Sequence, residues 1–113
     1  YIMTQVAVIH TAFEDKPSTV AFVDVPELPS LIETLEYAYR WTNNVMGSWS
    51  IKKEVFEDGE SNGDYNPNVT VMAPLHEGGM GLRSTSMGDQ MLVGNKKYVV
   101  AMMGFETLEG EKV

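Results

Sequence analysis

Apolar and polar residues alternate around Val6, Val8 and Ile9 within Ile2 to Ala12, a two-residue period that predicts a β-strand. Pro17 and Ser18 make a turn, and the apolar run from Thr19 to Val25 reads as a second strand, so the two are expected to pair as a hairpin. Pro26 and Pro29 then stop the sheet, because proline has no N–H to give to a ladder. From here the period changes. Ser30, Leu31, Ile32 and Glu33 form a capping box, in which the serine oxygen accepts the amide three residues on and the glutamate reaches back to the cap. Leu31, Leu35, Ala38 and Thr42 follow one line at helical spacing, joined by Ile32 and Tyr39, and this stripe is suited to cover a sheet face. Thr34, Tyr37, Trp41 and Val45 make a second, more aromatic edge. Asn43, Asn44 and Gly47 supply residues that tolerate the left-handed end of a helix.

The segment from Glu54 to Asn68 breaks every periodic pattern: it holds five acidic residues, two glycines, three asparagines and one proline, and a mobile loop is expected. Val69 to Met72 returns to strand character and Pro74 closes it. A glycine-rich bend, His76 to Gly81, leads into the segment "GLRSTSMGD" at residues 81–89. Gln90 to Val93, the pair Gly94 and Asn95, and Lys96 to Met102 read as a hairpin with a type II′ turn, whose first central residue needs positive φ. Phe105 and Leu108 are expected to dock the tail. The sum is an α+β fold over a single domain, residues 1–113, with a mainly antiparallel sheet of about five strands and one long helix packed on one face.

Composition narrows the function classes. Cysteine is absent, which excludes disulfides, cysteine–zinc sites and thiol nucleophiles. No apolar run approaches the ~20 residues of a membrane helix, and the opening residues lack a signal peptide's basic start, so the cytoplasm is the expected location. A formal charge of −8 argues against nucleic acid and anionic membrane as partners. The acidity serves solubility on one reading and imitates nucleic acid on another.

Asp58, Glu60, Asn62 and Gly63 resemble the first half of a calcium loop, but position twelve is Val69, which has no carboxylate, so no metal site is expected. His10 and His76 lie in unrelated segments. Ser84 or Ser86 with His76 and Asp89 forms a triad on paper only, since no nucleophile elbow is present. Gly78, Gly79 and Gly81 fail both the Walker and the dinucleotide spacings, and no cofactor is expected. What remains is a bend able to aim backbone amides at an anion, with Arg83 adding a charged fork and Ser84, Thr85 and Ser86 adding hydroxyl donors. The same residue types also build plain turns, with Arg83 paired to an acidic neighbour. Trp41 and Trp49 sit beside Asn43, Asn44 and two serines, a mixture that suits a binding mouth as well as a core.

The strings "LEYAYRWTNN", "GSWS", "NPNVTV", "GLRSTSMGD" and "YVVAMMGFE" together resemble a group of small uncharacterised proteins of tailed bacteriophages and other mobile elements, across residues 31 to 106. That group carries an Arg-Ser-Thr-Ser-x-Gly-Asp segment, a following hairpin and a terminal Gly-Phe, matched here by Arg83 to Asp89 and by Gly104 and Phe105; Met87 stands where valine is expected. The resemblance implies a viral setting. The expected function is a non-enzymatic anti-defence protein that sequesters a small anionic ligand, a nucleotide immune signal, with Arg83, Ser84, Thr85 and Ser86 on phosphate oxygens. Trp41 or Trp49 would stack the base and Asn43 or Asn44 would read its edge. A homo-oligomer would assemble pockets from adjacent chains. The alternatives are an acidic protein-binding inhibitor or nucleic-acid mimic, and a virion structural component.

Overall fold

A computed structural model describes residues 3–113. Six strands form one sheet: β1 (Met3–His10), β2 (Ser18–Pro26), β3 (Val69–Val71), β4 (Gln90–Val93), β5 (Lys96–Val100) and β6 (Phe105–Thr107). Their order is β3-β2-β1-β4-β5-β6, and every neighbouring pair is antiparallel. The fold is therefore α+β, as the alternation predicts. The register explains the core. Val6 lies opposite Val23 and Val93, and Val8 opposite Ala21 and Met91, so the inward positions of β1, β2 and β4 meet on one face. The register between β1 and β2 shifts between Val8 and Ile9, leaving Val20 as an extra residue on β2, and Val20 is buried with Ala21.

The helix α1 (Leu31–Arg40) is ten residues, shorter than its sequence pattern predicts. Ser30 caps it by accepting the Glu33 amide, while its own hydroxyl donates to the Glu33 carboxylate. The helix ends at Arg40 because side chains take over its last carbonyls: Thr42 Oγ1 donates to Ala38 at 2.8 Å and Asn43 Nδ2 to Tyr39 at 2.6 Å. Leu35, Ala38 and, beyond the helix end, Thr42 of the stripe are buried, with Thr34 beside them; Leu31 and Ile32 stay exposed. Sealing Leu35 completely is worth ~2 kcal/mol.

Two further expectations change. The tail forms a sixth strand rather than merely docking Phe105: Gly104, at φ +82°, turns the chain back, and Phe105 pairs with Val100 and packs edge-on against Tyr39. The acidic segment is anchored rather than free. Asn62 Oδ1 accepts the amides of Ser48 and Asp64, and its Nδ2 donates to the carbonyls of Ser48, Ile51 and Lys53. The buried Asp64 accepts from Arg40 and from the amides of Val45 and Met46. No helix in the described residues is long and apolar enough to cross a membrane.

Candidate functional site

Residues 81–89 bridge the helix end, through the Thr85 amide to Thr42, and the turn after β1, through Asp89 to the Thr11 and Ala12 amides, and Arg83 is fixed there by two carboxylates. Its Nε and Nη2 donate to Glu14 at 3.0 and 2.8 Å; its Nη1 and Nη2 donate to Asp89 at 2.7 and 2.9 Å; its Nη1 also donates to the Ser84 carbonyl at 2.9 Å. These five bonds occupy all five guanidinium N–H groups. The side chain is 26% exposed, and the exposed Phe13 ring lies 5.0 Å from its guanidinium carbon. Asp89 is fully buried and also accepts the amides of Thr11, Ala12 and Ser86. Burial pushes the Asp89 carboxyl up, but the guanidinium and these amides outweigh it and hold the group at about 2. Bonding to Arg83 likewise lowers Glu14, and the pairing raises Arg83 above its ordinary value.

The other residues proposed for ligand contact have internal partners. Ser84 Oγ accepts the Asn44 amide at 2.8 Å, Thr85 Oγ1 donates to Thr42 at 2.8 Å, and the Ser86 hydroxyl donates to the Ser84 carbonyl at 3.3 Å. Asn44 joins Leu82 to Trp49 through its two amide atoms, and Asn43 holds the helix end. Trp49 is fully buried, with Nε1 donating to the Arg83 carbonyl at 2.9 Å. Trp41 caps the helix, half-buried, under the Arg40 guanidinium at 4.2 Å and against Tyr37. The structure thus brings Arg83, Ser84, Thr85, Ser86, Asn44 and Trp49 together as a scaffold. It does not point a free fork, free hydroxyls and stacking indoles into one cavity, because a permanently charged, partly buried guanidinium is most stable when carboxylates fill its donors.

The scaffold orients a residue that sequence reasoning set aside. His10 ends the series Val6, Val8, His10 on the inward face of β1 and is 2% exposed. Its ring stands edge-on to Trp49, with centroids 6.2 Å apart. Nε2 lies 3.0 Å from Thr85 Oγ1. The Thr85 proton goes to Thr42 and the Thr42 proton to the Ala38 carbonyl, so Thr85 can only accept, and Nε2 carries the hydrogen. Nδ1 is left with its lone pair and has no partner among the described residues. His10 lines a groove of about 430 Å³. Val20, Ala73, Pro74, Leu75 and Leu82 make its apolar walls, and Ser18, Glu14, Arg83, His76 and Glu77 its polar border. Burial lowers the His10 pKa, with Arg83 acting in the same direction and Asp89 and Glu14 against it, so the ring is neutral at neutral pH.

The signal for His10 was present in the chain as a histidine at an inward strand position; Glu14 had none, since only the fold carries it to Arg83. Among the described residues no group of three or more His, Cys, Asp or Glu is placed to hold a metal ion. Comparison of the chain with protein-family models, with curated proteins and with solved structures finds no match.

Proposed function

We propose that this chain is a non-catalytic binding protein that holds a small molecule in the groove over His10 and so sequesters it. One observation carries the reading: a buried imidazole, fixed in orientation and tautomer by Thr85 and Trp49, lines a groove with apolar walls while its Nδ1 makes no hydrogen bond among the described residues. A volume of about 430 Å³ falls among ordinary ligand pockets, which combine apolar walls with a few convergent polar groups. Binding without turnover is favoured because no hydroxyl lies within hydrogen-bond reach of Nδ1 among the described residues, so no nucleophile and base are paired there. In the viral setting that the resemblance of residues 31 to 106 implies, the bound molecule would be a host immune signal. The test is an NMR titration of the labelled protein with a fragment library, following the His10 ring and the amides of Leu75 and Leu82. Compounds that move these signals together support the reading, and a library that moves none of them sinks it.

A second reading, an acidic inhibitor of a basic protein, has its own support. Residues 55–61 form a small hairpin, with Val55 bridged to Ser61 and the Phe56 amide donating to Glu60 at 2.8 Å. Beside it lies a groove of about 520 Å³ lined by the apolar Ile51, Phe56 and Leu75 and by Glu57, Asp58 and Lys53, with Lys53 paired to Glu57 at 3.6 Å. Both arginines are engaged in internal ion pairs, which leaves lysine as the cation of the open surface. Salt-sensitive binding of a Lys/Leu peptide that is lost in a Glu57→Lys, Asp58→Lys variant supports this reading; indifference to both changes removes it.

A further inference from the structure

We infer that the ligand of the His10 groove is a neutral or cationic molecule that donates hydrogen bonds from a flat apolar body, and is not an anion; this deepens the binding reading above and rests on it. The argument is an inventory of donors and acceptors. A ligand oxyanion needs N–H or O–H groups, and the strongest donor at the groove, Arg83, has all five directed at Glu14, Asp89 and the Ser84 carbonyl. The His10 Nε2 hydrogen is given to Thr85, so the buried ring presents only an acceptor. Glu14 and Glu77 are acceptors when ionised, and Ser18 serves either way. Ser18 and His76 are the remaining side-chain donors, and His76 is exposed, so water competes for it.

Charge points the same way. Arg83 is outnumbered by Glu14 and Asp89, and Glu77 adds a further negative charge at the border. An anion entering here meets a net negative surround, whereas an amidine, amide or protonated amine meets acceptors at the depth of His10 and at the carboxylate rim. Val20, Leu75 and Leu82 supply the apolar contact for a flat ring.

Three probes of one size separate the possibilities: benzamidine, a cation with N–H donors; benzamide, a neutral donor; and benzoate, an anion without donors. The full chain is titrated with each at pH 7.5, reading the His10 ring and the amides of Leu75 and Leu82. Benzamidine and benzamide are expected to move these signals, with benzamidine favoured over benzoate by at least about tenfold, the worth of one charge-assisted hydrogen bond. Leu75→Trp, at a position 39% exposed and able to fill the groove without disturbing the core, is expected to abolish the shifts. Preference for benzoate overturns the donor class and leaves a groove that binds ligand. Shifts that persist unchanged in the Leu75→Trp protein overturn the location. If neither donor probe binds while other fragments move the same signals, the donor class falls alone; if nothing at all binds there, both it and the binding reading fall.

Discussion

Nε2 of His10 lies 3.0 Å from Oγ1 of Thr85, and that one contact decides which ring nitrogen carries the hydrogen. Because Thr85 passes its own proton to Thr42, it accepts from the ring and holds the Nε2–H tautomer. Thr85→Val keeps the shape and removes the acceptor. The expected result is a loss of about 1–2 kcal/mol in urea unfolding and a mixed tautomer population in long-range ¹⁵N–¹H spectra, where the parent protein shows Nδ1 unprotonated and Nε2 protonated. A single unchanged tautomer in the variant shows that Thr85 does not set it.

Burial of His10 has a consequence for acid stability. Its folded pKa is held below the ordinary 6.5 by desolvation, so the unfolded chain binds the proton more readily. The contribution is therefore fully present above 6.5 and is lost progressively as pH falls from there through the folded value. Urea midpoints measured between pH 8 and 5 are expected to decline below 6.5, and His10→Phe is expected to flatten that part of the profile. The groups facing the ring that shape the curve are Asp89 and Glu14, which resist the shift, and Arg83, which adds to it.

Asp89 governs a lower window. Its folded value of about 2 lies below the ordinary 3.8, so the stability it confers is present above 3.8 and is lost as pH falls towards 2. Asp89→Asn is expected to cost about 3 kcal/mol at neutral pH, since it leaves the partly buried Arg83 with one carboxylate and puts an amide donor against the Thr11, Ala12 and Ser86 amides. The same change is expected to reduce the acid dependence between pH 4 and 2. Guanidinium unfolding at pH 7 and at pH 3 measures both effects; an equal loss at the two values contradicts the linkage.

Strands and turns were legible where a local pattern dictates them. Alternation at Val6 and Val8 places β1, and Gly94, observed at φ +62°, places the β4–β5 turn. The helix length was misread because Thr42 continues the helical stripe along the chain, yet its side chain, with that of Asn43 beyond it, bonds back to the helix carbonyls and ends the helix at Arg40. Three-residue β6 is too short to show a period. At the candidate site, the residue types of the 83–89 segment were read as ligand contacts, but their partners Glu14, Thr42 and Asn44 are distant in sequence. Nothing local distinguishes an arginine awaiting a phosphate from one already held by two carboxylates.

The acidic segment supplies the sharpest contrast between composition and structure. Asn62 makes five hydrogen bonds to backbone groups of residues 48–64, and a Cβ on Gly47 would collide with its side-chain oxygen, so the chain closes around this one amide. Asn62→Ala strands three carbonyls and two amides; the expected cost is about 3 kcal/mol, softened where water reaches them. Asp64→Ala is expected to be comparable, since it releases Arg40 and the Val45 and Met46 amides. Asp58→Asn and Glu57→Gln, on the exposed hairpin tip, are expected to change stability little. Urea unfolding of the four variants, with amide exchange at Ser48 and Asp64, separates an anchored segment from a mobile one: equal stabilities across all four would mean that Asn62 and Asp64 do not hold this part of the chain.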